Sequence, residues 1–260
     1  YKFRKKKGAI MKDTINLALN HRTIREFTDK KIDDKMINKL LDVANHSASS
    51  NGMQIFSIVR ITDQNIKDQL ADNGNQEYMR RAPELWIFVA DLYRNYSIAK
   101  ENGVENDEMI SFDKFIQAFT DAIIGVQNVV VACESLGLGT NYFGNIHNDT
   151  QRVIDLLNLP KLTYPAVGLG FGYPNQNPQL KPRMPIELKA FENSYKVFDN
   201  YNEKIKDYDK EMTTYYDLRD ANRRSDSFSL QIPKKQGSLI KNRGKMFETL
   251  ERQGFIINNK

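Results

Sequence analysis

Residues 112–136 carry apolar side chains on most sides of a helical wheel, and a helix of that kind is stable only when other elements cover it. The stretch therefore sets the centre of any fold this chain can adopt. Residues 118–138 are broken by Thr120, Asp121, Gln127, Asn128 and Glu134, which predicts a buried core helix. No apolar run comes near the ~20 residues that cross a bilayer. The elements that surround the helix can be placed from pattern. Residues 84–91 (ELWIFVAD) form a nearly continuous apolar run, as expected of a central strand covered on both faces. Residues 55–62 (IFSIVRIT) are rich in β-branched and aromatic side chains and predict a second strand, 140–144 a short third. In 166–173 (AVGLGFGY) alternate glycines suggest the close approach of another backbone or a flat ligand.

Helices are expected over 12–20, 33–46, 63–71, 150–157 and 245–254. The second has Met36, Ile37, Leu40, Leu41 and Ala44 on one face, with Asp33 and Asp34 at its positive end. At 260 residues the chain can bury one substantial core or two small ones. The net charge of +5 comes from residues 1–10, which hold Lys2, Arg4, Lys5, Lys6 and Lys7 and no acid. No apolar segment follows them, so they do not form a signal peptide, and Met11 is a candidate natural start. A neutral body argues against general nucleic-acid binding. The single cysteine, Cys133, excludes an internal disulfide, predicts a small core residue, and fits a reducing cytoplasm.

Chemistry gathers in a few stretches. His21-Arg22-Thr23-Ile24-Arg25 places two guanidiniums three apart around a hydroxyl, a set suited to a dianionic phosphate. Residues 47–52 (SASSNG) form a turn by composition, where hydroxyls and backbone N–H groups could also meet a ligand. Prolines stiffen 174–185 and fix where Lys181 and Arg183 point. Tyrosines dot 193–218, expected as exposed helix with partner contacts. Residues 219–243 are basic. His46 and His147 read as surface or capping residues, and no paired carboxylates mark a site.

Taken in order, HRTIREF, SASSNGMQ, GNQEY, ESLGLGTNYFGNI, GLGFGYPNQNPQLKPRMP and ENSY resemble the nitroreductase superfamily. The specific likeness is to its oxygen-insensitive NADPH nitroreductase and NADPH-flavin oxidoreductase branch, over residues 15–229. The resemblance implies an α+β fold, a mixed β-sheet flanked by helices, in an intertwined homodimer. It implies an FMN-binding core over 11–192 and a C-terminal extension over 193–260 with dimer contacts and a basic NADPH-recognition loop.

Non-covalent FMN would take its phosphate and ribityl contacts from His21, Arg22, Thr23 and Arg25. Ser49, Ser50 and Asn51 would line the flavin, and Gln76 would approach its edge. Tyr142, Phe143, Gly144 and Asn145 would lie over the ring, with Asn145 standing where relatives often have glycine. Lys181 and Arg183 would complete the phosphate and pyrimidine contacts, and Arg219, Arg223 and Arg224 would recognise the 2′-phosphate of NADPH. The implied activity is ping-pong, two-electron hydride transfer from NADPH to nitroaromatics, quinones or flavins, with no protein nucleophile and no metal. The rival expectations are an FMN-binding sensor or storage protein without turnover, and a nucleic-acid module built on the basic ends.

Overall fold

A computed structural model of the chain describes residues 14–217, 223–238 and 240–257; residues 1–10, Met11 and Arg219 lie outside them. By packing the chain divides into two units, one running to Gln176 and resuming at Lys241, the other Asn177–Ile240.

The first unit is built on a four-stranded sheet. Its strands are β1 (Phe56–Arg60), β2 (Glu84–Asp91), β3 (Gly139–Phe143) and β4 (Thr163–Gly172), in the order β1-β2-β4-β3. Every pairing is antiparallel, which corrects the expected mixed sheet. All eight residues of β2 are buried, as its apolar run predicts. Such a run signals burial on both faces and leaves strand direction open.

Side chains alternate across the sheet. Trp86 and Phe88 face a cluster that contains Ile37 and Leu40 of α2 (Asp34–Asn45) and Val126, Val129 and Cys133 of α6 (Phe112–Ser135). Leu85, Ile87 and Val89 face another, with Leu70 of α3 (Gln64–Gly74), Met79 of α4 (Glu77–Arg80) and Val153 of α7 (Thr150–Leu156). The remaining helices of this unit are α1 (Thr14–Leu19), α5 (Tyr93–Glu101) and, near the C-terminus, α11 (Met246–Arg252). By length and composition alone α6 could cross a membrane, contrary to expectation, yet it packs as the core helix.

The glycines of β4 also have a different partner from the one expected. A Cβ at Gly170 would lie 2.6 Å from Phe143 Cε2, one at Gly168 3.0 Å from Phe143 Cβ, and one at Gly172 2.8 Å from Pro83 Cγ. Side chains of this same unit fill the space, since β3 pairs Phe143 directly with Gly168.

The second unit has a small core of Leu188, Ile205, Tyr208 and Met212, backed by Met184, Phe198 and Phe228. Its helices are α8 (Tyr201–Lys204), α9 (Lys206–Met212) and α10 (Phe228–Gln236); β5 (Tyr216–Asp217) and β6 (Arg223–Arg224) form a short antiparallel ladder. Helix in the tyrosine-bearing region starts only at Tyr201. The C-terminal residues expected to continue this extension instead pack with the first unit from Lys241 onward.

Candidate functional site

The segment between α1 and α2 is fastened to β3. Ile24 donates its N–H to the Thr140 carbonyl at 2.8 Å, and Thr23 bridges Thr140 in parallel fashion. Ile24 is the buried anchor of the segment. A Cβ at Gly139 would sit 2.6 Å from Ile24 Cβ, so only glycine lets the segment lie this close.

Around that anchor the polar side chains separate. His21 Nδ1 lies 2.5 Å from Glu134 Oε1, on the last turn of α6, and the Thr140 hydroxyl donates to the same oxygen at 3.1 Å. The Arg25 guanidinium stands 5.6 Å from the centre of the Tyr78 ring, which stacks on Phe143 at 5.9 Å. Glu26, the acid nearest in sequence, is bound to Arg81 at 2.6 Å. The Nε atoms of Arg22 and Arg25 are shielded from water and have no hydrogen-bond partner among the described residues. Shielded guanidinium donors without a partner are costly unless an anion meets them.

The same cluster takes in the end of β3 and the 3-10 turn Gly144–Asp149. Tyr142 is partly exposed and its hydroxyl donates to Gln127 Oε1 of α6 at 2.8 Å. Burial, with the Glu134 charge second, pushes its phenol up to about 12. Phe143 is 1% exposed, so its ring belongs to the core and only its backbone can face a ligand. The Gly144 carbonyl accepts from Arg243 at 3.1 Å.

Asn145 is 7% exposed, and neither atom of its amide has a hydrogen-bond partner among the described residues. It lies against the end of α3, where a Cβ at Gly74 would come within 1.6 Å of Asn145 Nδ2. Asn73 donates to the Ile146 carbonyl and Asn148 to the Gly74 carbonyl, each at 3.3 Å, stitching α3 to this turn. Gln76, which caps the start of α4, follows directly. The structure therefore gathers His21, Arg22, Thr23 and Arg25 with Tyr142, Gly144 and Asn145 around β3, the last of them against the chain that leads into Gln76.

Ser49, Ser50 and Asn51 stand apart from that cluster. The Ser50 N–H donates to both carboxylate oxygens of buried Asp121, at 2.9 and 3.2 Å, and Ser49 Oγ accepts from the Gln54 N–H at 3.1 Å. Asn51 adopts a left-handed φ of 51°. The loop borders a cavity of about 570 Å³ that Asn45, Ser57 and Arg94 also line. Both clusters hang from α6, one at Asp121 and one at Glu134. At ~1.5 Å per residue these anchors are roughly 20 Å apart along the helix.

In the second unit Arg183 donates to the Lys181 carbonyl at 2.9 Å. Arg223 and Arg224 occupy β6, paired through the backbone with Asp217 and Tyr216. His46 caps α2 as expected. His147 is partly buried: its ring stacks on Tyr164 at 5.8 Å and its Nε2 lies 2.9 Å from the Ala166 carbonyl. Burial lowers its pKa, and burial raises that of the Cys133 thiol, as suits core positions.

Motif reasoning passed over Asp121, Gln127, Glu134, Tyr78 and Arg243. The first three were visible as polar interruptions of an apolar helix, and a polar side chain on a core helix must find a partner. Arg243 carried no such signal.

Comparison with known proteins gives one answer along the chain. The Nitroreductase family description matches residues 18–82 and 70–173, and the Nitroreductase family, C-terminal domain description matches 181–258. The chain is 37% identical to an oxygen-insensitive NADPH nitroreductase of Salmonella typhimurium over 94% of its own length and 99% of the relative's. It is 35% identical to an FMN reductase (NADPH) of Bacillus subtilis, over 85% and 90%. The solved NfrA1 nitroreductase of B. subtilis superposes with a TM-score of 0.86 at 33% identity, covering 94% of this chain and 99% of that one.

Proposed function

The chain belongs to the nitroreductase family, and from that premise we propose that it is a homodimeric, FMN-dependent NADPH oxidoreductase acting on nitroaromatics, quinones or flavins. The observation that carries the cofactor is the pair of shielded, partnerless Nε atoms on Arg22 and Arg25, whose donors fit a phosphate. When bound, FMN would supply two-electron hydride chemistry, with NADPH as donor and a nitroaromatic, quinone or flavin as acceptor in a ping-pong cycle.

The protein's part is to bind and orient. His21, Arg22, Thr23 and Arg25 hold the phosphate and ribityl chain. Tyr142, the Phe143 backbone, Gly144 and Asn145 lie over the ring, and Gln76 approaches its edge. Arg219, Arg223 and Arg224 receive the 2′-phosphate of NADPH, a dianion suited to clustered guanidiniums.

Ser49, Ser50 and Asn51 contribute from the partner subunit's copy of the loop. That assignment rests on their separation from His21 along α6, and on the face α6 leaves uncovered. Ile116, Ile123 and Ile124 are 47%, 39% and 37% exposed on a helix whose other faces are buried. They recur at the spacing of one helical stripe. The adjoining α1 buries none of its residues, with Ile15 and Leu19 among the exposed ones. An apolar stripe of this kind is what a second copy covers.

The test is the absorbance spectrum of the purified protein, followed anaerobically through one equivalent of NADPH. A flavin spectrum that bleaches, then returns with a nitroaromatic or quinone, is the expected result. A bound flavin that stays oxidised would support a sensor or storage role instead. Failure to take up FMN on reconstitution overturns the proposal.

A further inference from the structure

We infer that Glu134 is a positioning residue for the phosphate end of the site, acting through His21; the inference rests on the FMN reading above. Three observations meet at one carboxylate. His21 Nδ1 is 2.5 Å from Glu134 Oε1, the Thr140 hydroxyl donates to that same oxygen, and the Thr140 carbonyl takes the N–H of Ile24. Thr140 is 1% exposed, so the hydroxyl that fixes the carboxylate is itself immobile. The Glu134 side chain is 15% exposed and that of His21 is 31%: the carboxylate lies beneath the ring and the ring faces outward.

The chemistry follows from what each group can donate. A carboxylate can only accept here, so the ring gives it the Nδ1 proton and turns Nε2 away from the helix. A phosphate dianion also only accepts. An imidazole placed between two acceptors serves both by donating from both ring nitrogens. Glu134 thus turns His21 into a third donor aimed at the phosphate, beside Arg22 and Arg25 on the same segment. A carboxylate behind an imidazole orients metal-bound histidines in the same way.

The role is specific to the phosphate, and this makes it testable. The full-length apoprotein is titrated with FMN and with riboflavin, which lacks the phosphate, following flavin fluorescence. Glu134→Gln keeps both hydrogen-bond acceptor and shape but removes the charge. It should weaken FMN about tenfold, the step from a charge-assisted to a neutral hydrogen bond, and leave riboflavin within about twofold. In a His21→Gln background the same substitution should add little, because the two act as one unit. Equal weakening of both flavins would mean a merely structural role and overturns the inference, as does an unchanged FMN affinity. If Glu134→Gln does not fold, Thr140→Val reads the same linkage with a smaller FMN-selective loss, and an unselective loss overturns it. A wild type that binds neither flavin sinks the FMN reading itself, whereas one that binds FMN while Glu134→Gln is indifferent sinks this inference alone.

Discussion

The two ends of α6 use the same kind of group for opposite purposes. Toward its start, Asp121 is 1% exposed and spends both oxygens on a single backbone N–H, that of Ser50. At its end, Glu134 is nearer solvent and engages side chains, the imidazole of His21 and the hydroxyl of Thr140. The first carboxylate gives a loop its shape. The second fixes the direction of the His21 ring. A core helix can therefore brace the proposed site along its length without giving up its apolar faces, provided each buried acid meets a defined donor.

The separation can be broken most completely between the two anchors. On the proposed dimer, Ile124→Glu puts a charge on the exposed stripe and should leave the protein monomeric in sedimentation, with FMN retention lost as well. A dimer that survives would remove the argument that each site draws its Ser49–Asn51 loop from the neighbouring subunit.

Next comes Asp121→Ala, which leaves the Ser50 N–H without an acceptor and should cost about 1–3 kcal/mol in thermal or urea unfolding. Glu134→Gln should cost less stability than this, because its hydrogen bonds survive. A reversal of that order would erase the contrast drawn here.

Gln127→Leu removes the acceptor of the Tyr142 hydroxyl midway between the anchors. About 0.5–1.5 kcal/mol is expected, at the low end because the hydroxyl can turn to water. The last effect is electrostatic and shows only above pH 10. The folded phenol of Tyr142 is raised to about 12 from its ordinary 10, by burial first and by Glu134 second. The phenol is neutral in both states below pH 10; above it the unfolded chain ionises first, so stability falls as pH rises from 10 to 12. An ultraviolet titration of wild type against Tyr142→Phe should show this late tyrosine, and Glu134→Gln should bring its midpoint down.

Much of the architecture was legible because it depends on pattern. The run 84–91 gave β2 with all its positions buried, and the apolar wheel over 112–136 gave α6 nearly residue for residue. Strand direction was not legible, since side chains alternate across antiparallel and parallel strands alike. The segment proposed to meet the phosphate stands out by its two arginines, yet its contact with Glu134 was hidden by distance: 113 residues separate Glu134 from His21. The β4 glycines were noticed for the right reason, close approach, and given the wrong neighbour. What approaches is the Phe143 ring, from a strand whose register no local pattern states.

Gly74 and Asn145 constrain one another. A Cβ at 74 would meet the Asn145 amide at 1.6 Å, so a larger residue at 74 requires the Asn145 side chain to move. Changing 145 to glycine first removes the obstacle, and only then does 74 become free to vary. Swapping single residues between this chain and its relatives should succeed in one order and fail in the other.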